Sequence, residues 1–454
     1  MKHVLVVVVL ALVAAPLHGA ELTRPNVLFI AVDDLRDWVG YLGGHPQAKT
    51  PTIDRLAARG VAFTRSYCQA PVCNASRAAL LSGLNPSTTG IYENDADWRP
   101  ILAPDKMLPV VFRKAGYFVA GAGKVYHGAG LDRDSDWDAY FHPVTLEPKP
   151  TGSSGVAGIR FAPLDCEDSE LRDYEIADWT IEQLRHSHDK PFFLACGFFK
   201  PHMPWNVPKK YFDRFPLESI QLPPTHEHDL ADVPPGGVAL ARSYGDHESM
   251  LKSGRWKEAV QAYLATINYL DMNVGRVIDA LDASPYRDNT IVVLWGDHGW
   301  HLGEKDHWRK FALWEEATRS PLIWVVPGVT KPHSRCDRTV DFSGVYPTLT
   351  NLCGIETPPH VQGVSHVSLL VNPDAEWIHP AVMTYLPHNH AVRTERWRYI
   401  RYADGGEELY DHSTDRYEWT NLADTPDMAS VKSGLLKYLP KDNAPRITGS
   451  PSPP

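Results

Sequence analysis

The sequence predicts an α/β fold: a large mixed, mostly parallel sheet sandwiched by helices, with a smaller C-terminal antiparallel-sheet subdomain. Three observations predict it. Apolar strand-like runs alternate with helical patterns along most of the chain. Each of four such runs ends at once in polar residues of ligand type. After Ser368 the helical patterns give way to short, closely spaced strand candidates.

The elements follow in order. Asn26-Val-Leu-Phe-Ile-Ala-Val32 is apolar without alternation, as a strand covered on both faces must be, and Asp33-Asp34 follow it directly. Thr50 is placed to cap a helix carrying Ile53, Leu56 and Ala57, which Gly60 ends. A helix begins near Cys73 in the stretch Pro71–Gly83, with Arg77 one turn later. Tyr117–Ala120 is a second strand, leading to Gly121-Ala-Gly-Lys124-Val-Tyr-His127. Pro191–Phe199 is a third, leading to Lys200-Pro-His202. Lys257 to Ala283 is a long amphipathic helix, with Val260, Leu264, Ile267, Val274 and Leu281 near helical spacing. Asn289–Trp295 is the fourth strand, followed by Gly296-Asp297-His298-Gly299. Beyond the linker at Val371–Glu376, strands are expected at Ala381–Tyr385, Trp397–Tyr402 and Glu408–Tyr410. Gly152–Gly158 and the Pro-rich stretches from Leu222 and Val233 read as loops, and the tail from Arg446 reads as unpacked. The expected division is a leader over 1–20, a catalytic domain over 21–372 and a C-terminal subdomain over 373–454.

The balance of 45 basic to 55 acidic residues gives a net charge of -10, with no Lys/Arg-rich run. That excludes a general nucleic-acid binder, and an anionic ligand would need positive charge gathered locally in a pocket. Met-Lys-His followed by the apolar Val4–Ala15 reads as a signal peptide, too short to span a bilayer comfortably. An exported protein, periplasmic or secreted and without stable membrane insertion, is expected. None of the six cysteines sits in a CxxC pair, which argues against structural zinc and leaves any disulfide pattern unread.

In open α/β sheets ligands bind outside the carboxyl ends of strands, so the four polar clusters are expected to converge in one crevice. Asp33, Asp34, Asp297 and His298 then form a carboxylate-rich set suited to a hard divalent ion, Ca²⁺ or Mg²⁺. Arg77, Lys124, His127, His202 and Lys310 add donors around a helix start at Cys73, which together describe a pocket for a phosphoryl or sulfuryl group. Cys73 itself reads either as a small buried hydrophobe or as a thiolate nucleophile. Neither reading explains a soft thiol beside a hard-metal site.

Cys73-Asn-Ala-Ser-Arg77, followed by Leu81-Ser-Gly83, resembles the signature of the formylglycine-dependent sulfatases of the alkaline-phosphatase-like superfamily. Gly123–His127, Lys200–Pro204 and Asp297–Glu304 followed by Lys310 are most similar to the iduronate-2-sulfatase branch. Ala75 stands where the signature more often has proline. The resemblance implies that Cys73 is converted to Cα-formylglycine by a formylglycine-generating enzyme during maturation. The hydrated aldehyde would join Asp33, Asp34, Asp297 and His298 around Ca²⁺, with Mg²⁺ as the alternative ion. It further implies that Arg77 steadies the aldehyde hydrate while Lys124, His202 and Lys310 grip the sulfate. One hydrate hydroxyl would attack sulfur, with the metal and Asp297 activating it. His202 or Lys310 would protonate the leaving alcohol, and His127 would take the proton that releases sulfate. The implied substrate is a sulfated saccharide, of the 2-O-sulfated uronic acid type. Trp98, Arg99, Tyr385 and His388 are candidate sugar contacts. Two rival readings stand beside this: a phosphonate or phosphate-diester hydrolase, and a non-catalytic binder of sulfated glycans with Cys73 left as a thiol.

Overall fold

The computed structural model describes residues 24–128, 130–151 and 154–447; the expected leader lies outside them. The main sheet contains β1 (Asn26–Val32), β2 (Val61–Tyr67), β3 (Phe118–Gly123), β4 (Ala139–Phe141), β5 (Phe192–Phe198), β6 (Thr290–Gly296), β7 (Leu322–Val325) and β8 (Ser334–Asp341). Their spatial order is β8-β2-β7-β6-β1-β5-β3-β4. Only β7 runs against its neighbours, β2 and β6.

The apolar run of β1 is continuous because both its faces are covered. Leu28, Ile30 and Val32 belong to a core shared with the helices α4 (Arg172–Arg185) and α5 (Trp256–Asp282), which also takes in α1 (Pro51–Ala57). Val27, Phe29 and Ala31 belong to a second core, shared with α2 (Cys73–Ser82), α3 (Leu108–Lys114) and α6 (Val345–Leu352). Each fully buried side chain of this size contributes roughly 1.5–3 kcal/mol relative to exposure, so the two cores fix the central strands and the register between them. The sandwich is the expected fold.

The C-terminal strands β9 (Ala381–Thr384), β10 (His390–Arg393), β11 (Trp397–Arg401) and β12 (Glu407–Asp411) form an antiparallel sheet in sequence order. One face packs Met383, Ala391, Ile400 and Tyr410 on Tyr67 and Trp314 of the larger unit. Arg398, fully buried there, pairs with Glu315 at 2.5 Å and with Glu418.

Several expectations need correction. The strand expected at Tyr117–Ala120 starts at Phe118 and continues to Gly123. The Pro-Pro-Gly-Gly stretch read as a loop contains a helix, Pro235–Ala241, with proline at its first turn, where its missing N–H costs nothing. The tail is attached as far as it is described: Ala444 N–H donates to the Ser87 carbonyl at 2.7 Å, and Ile447 packs on the second core. None of the six cysteines, whose pairing the sequence left unread, is joined in a disulfide. Among the described residues no helix is long and apolar enough to cross a membrane.

Candidate active site

Four parallel strands end at one level. Val32 of β1 lies in register with Phe198 of β5 and with Gly296 of β6, and Gly123 of β3 pairs with Gly197. The backbone carries this alignment one residue further. Asp33 N–H donates to Phe198 O at 3.2 Å, Asp297 N–H to Val32 O at 2.9 Å, and Lys124 N–H to Gly197 O at 2.8 Å. Asp297 and Asp33 therefore leave the adjacent strands β6 and β1, and Lys124 leaves β3 at the same level, with β5 between. A Cβ at Gly197 would stand 2.3 Å from the Lys124 backbone, so only glycine permits this approach.

Asp34 takes a left-handed backbone conformation, φ 58°, that turns its side chain back over the strand ends. Its N–H donates to Asp297 Oδ1 at 2.9 Å, and its carbonyl accepts from the Tyr263 hydroxyl at 2.7 Å. Across the crevice, α2 begins at Cys73. Cys73 Sγ lies 3.7 Å from Asp34 Oδ1, 3.2 Å from His298 Nε2 and 2.9 Å from Lys310 Nζ. Arg77, one turn on, donates through Nε to Asp297 Oδ2 at 2.8 Å and lies 3.5 Å from Asp33 Oδ1. Lys124 Nζ donates to Asp33 Oδ2 at 2.5 Å, and Lys310 Nζ to Asp34 Oδ1 at 2.7 Å. His202 Nε2 stands 3.9 Å from Asp34 Oδ2.

Burial works against every charge in this cluster, and the opposite charges decide which survive. It would raise the Asp33 carboxyl, yet Lys124, His202, Arg77 and Lys310 hold it well below the usual range. Asp34 is likewise lowered, with Lys310 the strongest opponent of burial. Asp297 goes the other way: burial raises it despite His298 and Arg77. Lys310 stays charged because Asp34, Cys73, Asp33 and Asp297 together outweigh its desolvation. His127 is pushed down to about 2 by burial and by Lys124, and His202 down to about 4 by burial, so both imidazoles are neutral near pH 7. Burial and Asp33 push the Cys73 thiol well above its ordinary value. Both effects work against the thiolate reading of Cys73, while Lys124 and Lys310 favour it.

The donor set fits a hard divalent cation. Ligand atoms of Asp33, Cys73, Asp297 and His298 lie within 4.8 Å of one another, as do those of Asp33, Asp34, Cys73 and His202. Asp34 Oδ2 is buried with no hydrogen-bond partner, which a coordinated cation would supply. Sulfur at position 73 is the one ligand atom of the wrong softness.

The expected catalytic and metal residues thus come together, with His127 coupled electrostatically to Lys124, Asp33, Arg77 and Lys310. The expected sugar contacts divide. Trp98 is buried against Tyr126, with Arg133 over its ring, and presents no open aromatic wall. Arg99 is held by Asp97 at 2.8 Å and by the Gly130 carbonyl at 2.8 Å. Both side chains serve local packing. Tyr385 does reach the entrance, 6.0 Å between ring centroids from Phe311, the residue after Lys310. His388, further along the same loop, opens on a separate cleft.

Three residues that the sequence reading missed support the cluster from behind. Ser76 donates to Asp297 O at 2.6 Å, and Tyr263 holds Asp34 as above. Asp173 accepts from the N–H groups of Phe199 and Lys200, both at 2.8 Å, fixing the turn that carries His202. Ser76 sits inside the quoted signature stretch; nothing in the sequence marked the other two.

Comparison with known proteins agrees with this geometry. Residues 25–355 match the family profile described as Sulfatase, and residues 297–444 match that of the N-sulphoglucosamine sulphohydrolase C-terminal region. A sulfatase of Formosa agariphila is 39% identical, over 93% of this chain and 88% of its own. Human iduronate 2-sulfatase is 31% identical, over 76% of this chain and 72% of its own. The solved phosphonate monoester hydrolase of Agrobacterium radiobacter shares the fold at 22% identity, with a TM-score of 0.78 over 91% of this chain and 94% of that one. The profile spans most of the chain and the strand-end cluster lies within it, so the chain belongs to the sulfatase family and is a sulfuric ester hydrolase.

Proposed function

We propose that this sulfatase removes sulfate from sugar units of sulfated polysaccharides, 2-O-sulfated uronic acids foremost, using a formylglycine formed from Cys73 and a bound Ca²⁺. Sulfatases generally work through such an aldehyde and a divalent metal. The observation that carries the reading is the placement of Cys73 Sγ amid carboxylates and beside Lys310, where a hard cation prefers oxygen to sulfur. Identity of 31% to human iduronate 2-sulfatase supports the choice of sugar.

Asp33, Asp34, Asp297 and His298 would hold the cation, which would supply Lewis-acid polarisation of an oxygen bound to sulfur. The hydrated aldehyde would supply the attacking hydroxyl and a second hydroxyl by which sulfate is released. Arg77 fixes Asp297 and Asp33 in one orientation, so those carboxylates need no rearrangement during the reaction. Lys310 and Lys124 bring two permanent positive charges to the sulfate oxygens. His202, partly open to solvent, faces the leaving alcohol together with Lys310, which carries a proton throughout the neutral range. His127, neutral and with Nδ1 unpartnered, is free to accept the proton whose loss releases sulfate. Export through the 1–20 leader and maturation by a formylglycine-generating enzyme complete the reading.

The test has two parts. The mass of the peptide containing residue 73 reports thiol or aldehyde. Turnover is then compared on a 2-O-sulfated uronate disaccharide, 4-nitrocatechol sulfate and a phosphate diester. An aldehyde with the disaccharide preferred supports the proposal. A thiol at full occupancy, or preference for the diester, overturns it.

A further inference from the structure

Beside the hairpin that carries Tyr385 lies a cleft of about 490 Å³ whose lining contrasts with the rest of the surface. His388, His390, Arg401, Lys441 and Asn443 face it, and no Asp or Glu does, in a chain with a net charge of -10. Leu436, Leu439 and Pro440 give it an apolar floor. Arg401 and Lys441 are exposed and form no ion pair among the described residues.

His390 is the most informative wall. It is buried at 4% exposure, its Nδ1 lies 3.0 Å from Thr384 Oγ1, and its Nε2 has no hydrogen-bond partner. When Thr384 donates to Nδ1, the proton of the neutral ring sits on Nε2, and the Asn443 side chain is the polar group beside the ring. Asn443 holds the loop by accepting from the His388 N–H at 3.1 Å. A buried imidazole edge beside Asn443, flanked by two cations over an apolar floor, is suited to an anionic ligand that also offers a flat apolar face. A sulfated or carboxylated sugar ring has both features.

The hairpin that lines the cleft also reaches toward Cys73 through Tyr385. Tyr385 and Phe311 pack together on Ala70, Val72 and Ala75, next to Cys73. Three residues of chain span at most about 10 Å, so His388 lies within a short oligosaccharide's reach of Tyr385. We propose that this cleft is a second saccharide subsite, which holds an anionic sugar unit of the same oligosaccharide whose sulfate is cleaved at position 73. The proposal rests on the sugar-sulfatase reading above.

The test is the double variant Arg401→Ala/Lys441→Ala, both side chains lying outside the packed cores. A heparin-derived tetrasaccharide is compared with 4-nitrocatechol sulfate, which has a single ring and cannot reach the cleft. KM for the tetrasaccharide should rise roughly 10- to 100-fold, each lost charged contact being worth about tenfold. kcat and the constants for 4-nitrocatechol sulfate should stay put. An unchanged KM for the tetrasaccharide, or an equal rise for both substrates, overturns the subsite. Calorimetric titration of the tetrasaccharide into Cys73→Ala protein, with and without the double substitution, separates the two claims. If binding weakens with the double variant while the parent enzyme cleaves no sulfated sugar, the cleft binds an anionic sugar, but the sugar-sulfatase reading fails and with it the cleft's role beside a cleaved unit. If the enzyme cleaves but binding ignores the substitutions, the subsite alone fails.

Discussion

Arg77 donates its Nε–H to Asp297 Oδ2 at 2.8 Å with neither side chain exposed, and this pair ties the helix carrying Cys73 to the end of strand β6. Removing one partner of a buried ion pair leaves an uncompensated charge, at a cost of about 3–5 kcal/mol. Arg77→Ala is therefore expected to lower stability by that order, and turnover of 4-nitrocatechol sulfate by about 10²–10³-fold. Thermal unfolding and steady-state kinetics check both. A variant as stable and active as the parent would remove Arg77 from the site.

The unpartnered Asp34 Oδ2 makes a prediction about metal. A ligand that binds only the folded state stabilises it by mass action. Treatment with a chelator should lower the unfolding temperature and abolish activity, and added Ca²⁺ should restore both. In Asp34→Asn the Ca²⁺-dependent rise in unfolding temperature should disappear.

Cys73→Ser keeps an oxygen nucleophile but has no second hydroxyl to expel sulfate. Sulfated protein should accumulate in a single turnover, read as an added sulfuryl mass on the residue 73 peptide. Sustained turnover by this variant would count against the proposed chemistry.

Gly197 tests the strand-end alignment without touching a charged group. A methyl there would stand 2.3 Å from the Lys124 backbone, so the ends of β3 and β5 must separate. Gly197→Ala should cost about 1–3 kcal/mol and reduce activity more than it reduces stability, because Lys124 leaves its place beside Asp33. Equal activity with unchanged unfolding would show that the approach is not needed.

His366 governs a pH effect. Burial beside Phe63 and Trp377 pushes its imidazole down to about 3. The unfolded chain binds a proton at this residue from about pH 6.5 downward while the folded chain stays neutral, so the contribution is intact above pH 6.5. It is lost as the pH falls through the window to about 3, by on the order of 4 kcal/mol at the acid end. His366→Phe should flatten the fall of unfolding temperature over that window. An unchanged slope would assign the acid sensitivity elsewhere.

The central strands were legible because burial on both faces leaves an unbroken apolar run, as in β1, β5 and β6. β2 and β8 carry Thr64, Arg65, Arg335 and Asp337 within their span, and β7 has only four residues, so no run stood out. The helix at Pro235–Ala241 hid behind glycines, which tertiary contact requires: a Cβ at Gly237 would meet Val233, Glu408 and Tyr402 within 3 Å. In the site, residues directly after strands were legible from position. Tyr263 and Asp173 act from helices, where a buried hydroxyl or carboxylate looks like any other helical residue. Trp98 and Arg99 mark the opposite limit, since an aromatic and a cation beside a signature helix read alike whether packed or open.

Cys73 has no solvent exposure, and Lys310, in contact with its sulfur, lies 237 residues further on. Once the sandwich has closed, no second protein can reach that thiol. On the formylglycine proposal, conversion of Cys73 would fall between the emergence of position 73 and the arrival of position 310. For a chain folding as it is synthesised, at about 5–20 residues per second, that interval is on the order of ten to fifty seconds. On that proposal, maturation becomes a race against folding.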